Sequence, residues 1–147
     1  MSDGRARADL LASVAKRAAA YLAGVAERNV APTPDALSRL EGFRQPLPDT
    51  GVEPAQVIAQ LDETGSPATV TTTGGRYFGF VNGGTLDAAL AANWLAGAWD
   101  QNGALVVMSP VAAALEEVAL GWLLDVLGLP GGAGCGFVSG ATMANFT

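Results

Sequence analysis

Apolar side chains recur at the helical repeat in the first part of the chain. Residues 5–28 contain no proline and many alanines, and their apolar positions lie three or four residues apart, opposite Lys16, Arg17 and Glu27. This pattern predicts a long amphipathic helix. Its apolar stripe comprises Leu10, Leu11, Val14, Ala18, Tyr21, Leu22 and Val25.

Two shorter helices are predicted next, each with a proline in its first turn. Thr33 before Pro34 is typical of a helix start, and Pro54 predicts a third helix that stops at Gly65. Proline-rich links join these helices, and none of them has enough apolar surface to complete a bundle. We therefore expect residues 1–73 to form a helical arm that packs on another domain or on a second subunit.

The chain changes character after residue 73. Residues 76–81 are rich in aromatics and predict an extended strand, and residues 82–84 (Asn-Gly-Gly) predict a turn at which another molecule can approach the backbone. Thr85 is expected to cap a helix that runs to about Trp99. Because the only polar side chains of that helix are one aspartate and one asparagine, we expect it to be buried on nearly all sides.

A second long helix is predicted after Ser109 and Pro110, a capping residue followed by a first-turn proline. We expect it to run to about Leu127, with Gly128 just beyond its end. Apolar residues form two stripes along this segment and leave only a thin polar edge, so the pattern predicts a central position in the fold.

The last residues of the chain form the most informative segment. Residues 136–138 predict a short buried strand, and residues 139–145 (Ser-Gly-Ala-Thr-Met-Ala-Asn) predict a turn of small residues into a helix. Such a junction exposes consecutive backbone N–H groups at the positive end of a helix, which suits a phosphate monoester, although an ordinary tight turn has the same pattern. The motif lacks the lysine of a P-loop and the three glycines of a dinucleotide fingerprint, so neither ATP nor NAD is indicated.

Composition and charge exclude several classes of function. Half the residues are hydrophobic and only 15% are charged, so the surface of a free-standing globule would lack polar cover and a partner surface is expected. Residues 51–147 carry one cation, Arg76, and eight acids, which disfavours nucleic-acid binding. With no histidine and one cysteine, Cys135, neither a metal site nor an internal disulfide is expected. The absence of a signal-peptide pattern and of a long apolar run predicts a cytoplasmic protein without a membrane partner.

Four segments, in this order and spacing, resemble the group II pyridoxal-phosphate decarboxylases. That family includes the aromatic amino-acid, glutamate and diaminobutyrate decarboxylases. The match covers residues 74–147, whereas residues 1–73 match only as the helical arm expected at that position. The four segments are 76–84 (RYFGFVNGG), 94–101, 108–116 with its Met-Ser-Pro and Leu-Glu pairs, and 136–147 (GFVSGATMANFT).

The resemblance implies an α/β protein of the pyridoxal-phosphate-dependent transferase fold, fold type I. This chain would contain its mainly helical N-terminal arm and, in residues 74–147, the beginning of its large domain. A homodimer with active sites at the subunit interface, a pyridoxal 5'-phosphate cofactor and a small amino-acid substrate are also implied. The implied site residues are Ala141, Thr142 and Met143 at the cofactor phosphate, Asn82 and Gly83 beside the substrate, and Asn102 and Ala104 at the pocket of the partner subunit.

The catalytic residues of the family have no counterpart in this chain. The reaction needs a lysine bonded to the cofactor, an aspartate at the pyridine nitrogen and a histidine stacked on the ring. The chain contains no histidine, and its one lysine, Lys16, lies in the predicted arm. We therefore expect no catalytic residue here and expect the chain to be an N-terminal fragment, truncated after the phosphate loop, with the missing groups downstream of Thr147.

Two alternatives to decarboxylation stay open. One is another reaction of the same fold and cofactor, such as transamination or aldol cleavage. The other is a noncatalytic chain, either an interaction module or a half that pairs with a separately encoded second half, which the apolar second part of the chain favours.

Overall fold

The computed structural model describes residues 4–147, which are mainly helical. The chain divides into two compact units, Met1–Thr85 and Leu86–Thr147. The boundary predicted after residue 73 lies inside the first unit. Of the hydrophobic side chains among the described residues, only Ala36 and Leu124 are buried, so neither unit has a large apolar core.

Helices in the first unit begin close to where the sequence predicts them. The predicted amphipathic helix is α1, which ends a few residues before residue 28, and it contacts α3. Short helical turns follow α2 and α3. The elements are α1 (Gly4–Ala23), α2 (Pro34–Arg39), a 3₁₀ turn (Leu40–Phe43), α3 (Pro54–Gln60), a π-helical turn (Leu61–Gly65) and a second 3₁₀ turn (Ser66–Ala68).

The apolar stripe of α1 is narrower than the pattern predicts. Leu11 and Leu22 are exposed, whereas Arg17, predicted on the polar side, is half-buried beside residues that follow α3. A polar partner, Asp62, accounts for this burial of a charged side chain. The members of the predicted stripe that are half-buried are Leu10, Val14, Ala18, Tyr21 and Val25.

Capping explains the start of α2. The Thr33 hydroxyl accepts a hydrogen bond from the backbone N–H of Ala36 at 3.2 Å, and Pro34 occupies the first turn, as predicted. The predicted stop at Gly65 is wrong. Gly65 keeps a right-handed helical backbone (φ −79°, ψ −47°), so the chain winds on through the following 3₁₀ turn.

Polar contacts hold the chain that follows α3 against the end of α1. The Thr71 side chain is 2% exposed; its hydroxyl donates to the Asn29 carbonyl at 2.8 Å, and its backbone N–H donates to the Val30 carbonyl at 3.0 Å. We call the whole set the polar network. It comprises Arg17 with Asp62, Tyr21 with Thr69, Arg28 with Ser66, Thr71 with Asn29 and Val30, and Arg76 with Ala26 and Arg28.

The second unit contains α4 (Asp87–Trp99), α5 (Pro110–Val126) and α6 (Ala141–Phe146). The predicted cap of α5 is confirmed, because the fully buried Ser109 hydroxyl accepts from the backbone N–H of Ala112 at 3.4 Å. Its predicted end is also confirmed, since Gly128 adopts a left-handed backbone (φ 64°) just past the helix.

Thr85 does not cap α4. The residue at the capping position is Leu86, which is extended (φ −77°, ψ 140°) and whose carbonyl accepts the first helical hydrogen bond from Leu90. Leu86 has no side-chain acceptor, so α4 begins without a side-chain cap. At the other end, Asp100 takes a left-handed backbone (φ 49°, ψ 49°) and ends the helix in the loop that was predicted there.

The strands predicted at 76–81 and 136–138 are absent, since residues 4–147 contain no strand. A strand needs a neighbouring strand for its backbone hydrogen bonds, and the described chain supplies none to either segment. In the first segment, Phe80 and Val81 adopt left-handed backbones (φ 53° and 55°), which breaks the extended path.

The predictions that α4 is buried and that α5 is central are wrong for the structure described. Trp94 and Trp99 on α4 are exposed, and on α5 Trp122 is 71% exposed. Both helices have the apolar faces that the pattern predicts, but burial needs a second surface, and these faces have none within their own unit.

Replacement of Thr71 by valine is expected to destabilise the first unit selectively. Valine keeps the shape of threonine but leaves the Asn29 carbonyl without its hydroxyl donor, which costs about 1 to 2 kcal/mol. Native-state hydrogen exchange at the Thr71 amide reports that loss. The matched control is Thr73→Val at an exposed position. All three tryptophans lie in the second unit, so their fluorescence unfolding curve is expected to stay unchanged; equal exchange in both variants would contradict the prediction.

Candidate functional site

The three residues predicted at the cofactor phosphate are the first three residues of α6. Ala141, Thr142 and Met143 follow Gly140, whose backbone is nearly fully extended (φ 159°, ψ 173°). The first helical hydrogen bond runs from the Ala144 N–H to the Gly140 carbonyl at 3.0 Å. The N–H groups of the three preceding residues therefore come before the bonding pattern of the helix and are available to an acceptor.

This turn is exposed to solvent, and the residues next to it in the sequence are uncharged. Residues 139–147 are exposed, and a Cβ placed on Gly140 would meet no atom within 4 Å. An anion could therefore approach the three N–H groups without displacing a side chain. The interaction would depend on directed backbone hydrogen bonds, since no charged side chain lies between residues 126 and 147.

Asn82 and Gly83, predicted beside the substrate, lie in the first unit at the end of a compact loop. The Asn82 side-chain amide donates to the Tyr77 hydroxyl at 3.2 Å, and its backbone N–H donates to the Gly79 carbonyl at 3.3 Å. Gly83 is exposed with open space around it. In this arrangement the amide of Asn82 is occupied within its own loop, while Phe78 and Phe80 point their rings into solvent.

Asn102 and Ala104, predicted at the pocket of the partner subunit, are joined to each other. The Asn102 side-chain oxygen accepts from the Ala104 backbone N–H at 3.0 Å, which stabilises the turn after α4. Both residues are exposed. Within the second unit, no hydrogen bond or ion pair between described residues joins this turn to residues 141–143.

A cluster that the sequence reasoning missed lies in the first unit. Residues on one face of α1 and residues after α3 line a cavity of about 510 Å³, which we call the basic pocket. The α1 positions are three, four, seven and eight residues apart, so their side chains share one face of the helix. The side chains that matter for its chemistry are Ser13, Lys16, Arg17, Tyr21, Arg28 and Asp62.

Asp62 is held in its charged form. The Ser66 hydroxyl donates to it at 2.5 Å and the Arg17 guanidinium donates at 2.7 Å, and these bonds, aided by the charges of Arg17 and Arg28, lower the pKa of Asp62 below its ordinary value. Partial burial opposes this shift but does not outweigh it. Arg17 also lies 3.8 Å from a carboxylate oxygen of Glu63, at the edge of the same cluster.

Tyr21 and Arg28 form the other wall of the basic pocket. The Arg28 guanidinium lies 4.3 Å from the centre of the Tyr21 ring and donates to the Ser66 carbonyl. The Tyr21 hydroxyl lies 2.8 Å from the Thr69 hydroxyl, which itself donates to the Ser66 carbonyl. Because Thr69 has one hydroxyl proton, Tyr21 is the donor in that pair.

The helical spacing of the α1 side of this pocket was visible in the sequence. The spacing from Ser13 to Tyr21 places polar and basic side chains together, but no local pattern indicates that Asp62 faces them from 45 residues away. The sequence predicts Arg17 on the polar side of the helix, so it did not indicate that Arg17 would be half-buried and need a nearby acid.

In the described part of the chain, no group of three His, Cys, Asp or Glu side chains could hold a metal ion, and Cys135 is a free, exposed thiol. None of the described helices combines the length and the apolar character needed to cross a bilayer.

Comparisons of the chain with protein-family models, with curated proteins and with solved structures found no match. The interpretation of its function therefore depends on the motifs in the sequence and on the geometry of the sites described above.

Acid is expected to weaken the first unit through Asp62. Its pKa is lower in the folded than in the unfolded chain, so the stabilisation is fully present above the unfolded value, about 3.9, and is lost as the pH falls through the folded value. Asp62→Asn should be less stable than the parent near pH 6, and the difference should shrink as the pH falls below about 3.9 and through the lower folded value. Urea unfolding followed by the amide signals of α1 measures this.

The control for that experiment is Asp49→Asn, which removes the same charge from an exposed link between helices. It should keep the acid-dependent loss of the parent chain. If Asp62→Asn also kept that loss in full, another group would be responsible and the assignment to Asp62 would fail.

Proposed function

We propose that this chain contributes the cofactor-phosphate turn and part of the substrate pocket to a pyridoxal-phosphate-dependent amino-acid decarboxylase of fold type I. The observation that carries the proposal is the turn at residues 140–143, where three successive N–H groups precede the first hydrogen bond of α6. The same residues lie in the last of the four ordered segments that resemble the group II decarboxylases.

The residues present fit the phosphate of the cofactor and not the rest of it. Ala141, Thr142 and Met143 would donate backbone hydrogen bonds to phosphate oxygens, which needs no cationic side chain. The chain has no histidine to stack on the ring, and Lys16, its one lysine, lines the basic pocket of the first unit. The ring-binding groups must therefore come from sequence outside these residues or from a second chain.

Bound pyridoxal phosphate supplies an electron sink for the electrons left behind when the substrate carboxylate departs. The proposed role of this chain is to orient the phosphate group through the backbone N–H groups of residues 141–143. Asn82 would turn its side-chain amide from Tyr77 towards the substrate carboxylate, a change that costs one exposed hydrogen bond. Asn102 and Ala104 would reach the second active site of a homodimer, and the free thiol of Cys135 suits a cytoplasmic enzyme.

Exposed apolar surface favours a second candidate, a noncatalytic chain that pairs with a partner. Trp122 and Val126 on α5 are largely exposed, as are Phe78 and Phe80 in the first unit. Monomeric proteins rarely leave large contiguous apolar areas in water. The same exposure also fits a decarboxylase in which the rest of the enzyme covers these faces, so the two candidates differ in cofactor binding and not in their need for a partner surface.

Substitution of Ala141 by proline tests the phosphate turn. Proline is tolerated at the first position of a helix but has no N–H, so the variant loses one donor and keeps α6. A hydrogen bond to a charged group contributes about 1.5 to 3 kcal/mol, so affinity for a phosphate ligand should fall about tenfold or more. The probe is pyridoxamine 5'-phosphate, which has no aldehyde to react with Lys16. Amide signals of residues 142–144 report its binding.

Two controls accompany this substitution. Ala141→Ser retains the N–H and should bind like the parent chain. Pyridoxamine without its phosphate should leave the amides of residues 142–144 unmoved. Equal binding by the proline and serine variants, or equal shifts with both ligands, would contradict a phosphate site at this turn.

The reaction itself is tested on the full-length gene product that contains this chain. Loaded with pyridoxal phosphate, that protein is expected to release CO₂ and an equal amount of amine from one amino acid. An aminotransferase would instead need a keto-acid acceptor and release no CO₂, and an aldolase would yield an aldehyde. The 147-residue chain alone is expected to be inactive, because it lacks the lysine and histidine that the chemistry requires. CO₂ release by this chain alone would refute that expectation.

A further inference from the structure

The basic pocket between α1 and the turns after α3 has a chemistry that the proposed decarboxylation does not use. It lies wholly in the first unit, whereas the phosphate turn lies in the second. We propose that this pocket binds a small anion that carries a phosphate group, either inorganic phosphate or a phosphate monoester.

The charge of the pocket is opposite to that of the chain. Lys16, Arg17 and Arg28 line it together with one carboxylate, Asp62, while the whole chain has a net charge of −6. With Glu63 counted, which lies 3.8 Å from Arg17 at the edge of the pocket, three cations face two acids, and the remaining positive charge attracts anions to this site.

Lys16 is the cation in the pocket that is free to bind a ligand. Arg17 is paired with Asp62, and Arg28 donates to the Ser66 carbonyl and covers the Tyr21 ring. No hydrogen bond or ion pair joins Lys16 to another residue in the described part of the chain. Lys16 is exposed and directly precedes Arg17 on α1. An anion can therefore act as the partner that its ammonium group lacks.

Further donors line the same pocket. Ser13 lies one turn before Lys16 on the same face of α1, and the guanidinium groups of Arg17 and Arg28 each have more N–H groups than their present bonds use. Phosphate accepts several hydrogen bonds at once and binds arginine through paired N–H groups. A monocarboxylate could satisfy fewer of these donors, so the arrangement favours phosphate.

The cavity has room for a phosphate monoester. About 510 Å³ is within the range of roughly 300 to 1,000 Å³ that small-molecule sites occupy. Asp62 lines the same pocket and would repel an anion placed against it, but the Arg17 guanidinium and the Ser66 hydroxyl already bond that carboxylate. The ligand therefore belongs beside Lys16, which has no bond to Asp62.

The experiment is a titration of the whole chain with inorganic phosphate and, separately, with glycerol 3-phosphate, at constant ionic strength. Amide signals of residues 13–21 and 62–66 are expected to shift and to saturate, while those of α5 stay constant. Lys16→Gln should weaken binding about tenfold and Lys16→Arg should restore most of it, because arginine keeps the charge. Tighter binding of glycerol 3-phosphate would identify a monoester as the ligand, and tighter binding of inorganic phosphate would identify free phosphate.

Arg44→Gln is the matched control, since it removes one exposed cation that does not line the pocket. It should leave the affinity unchanged. A response that never saturates, an equal response to chloride, or equal weakening by Lys16→Gln and Arg44→Gln would overturn the proposal, because each indicates general charge screening. Binding confined to a phosphoserine peptide, with no response to either small anion, would also overturn it. The two sites are followed on different amides, residues 13–21 and 62–66 here and residues 142–144 at the phosphate turn, so each proposal can fail without the other.

Discussion

In the first unit, backbone carbonyls after the end of α1 accept hydrogen bonds from residues more than 40 positions further along the chain. The carbonyls of Asn29 and Val30 bond to Thr71, and those of Ala26 and Arg28 bond to Arg76. Backbone carbonyls at and beyond the end of a helix have no N–H partner within the helix, so they need other donors if they are shielded from water. Little apolar surface is buried in this unit, so the path of the chain from residue 62 to residue 76 depends on these bonds and on the Arg17–Asp62 pair. The basic pocket exists because the same contacts hold α1 beside the turns after α3.

The second unit depends on local signals instead. Ser109 and Pro110 begin α5, and the left-handed Gly128 follows its end, so the helix is defined by residues at its own termini. The apolar face of α5 has no cover within the unit, and only Leu124 on that helix is buried. Local capping is sufficient to place a helix but not to bury it, which is why the functional proposals for this unit require a partner surface.

The same distinction explains how far the sequence was informative. Helix starts at Thr33 and Ser109 were predictable, because a cap and a first-turn proline are neighbours in sequence. Burial of α4 and α5 was not, because the apolar pattern shows which face needs cover and not whether cover is present. The strands failed for a related reason, since a strand is defined by its neighbour. At the candidate site, the turn before α6 was predictable from its small residues. The contact between Arg17 and Asp62 in the basic pocket was not predictable, because these residues are 45 positions apart in the sequence.

The two proposed phosphate sites, which lie in different units of the chain, would bind their ligands in different ways. At residues 141–143 the donors are backbone N–H groups without a nearby cation, so binding there would depend on the exact position of the acceptor and little on salt. In the basic pocket the donors are charged side chains on α1, which tolerate ligands of varied shape but are weakened as salt screens the charges. A cofactor that must be held in one orientation suits the first kind of site. A small metabolite or free phosphate that exchanges with solution suits the second.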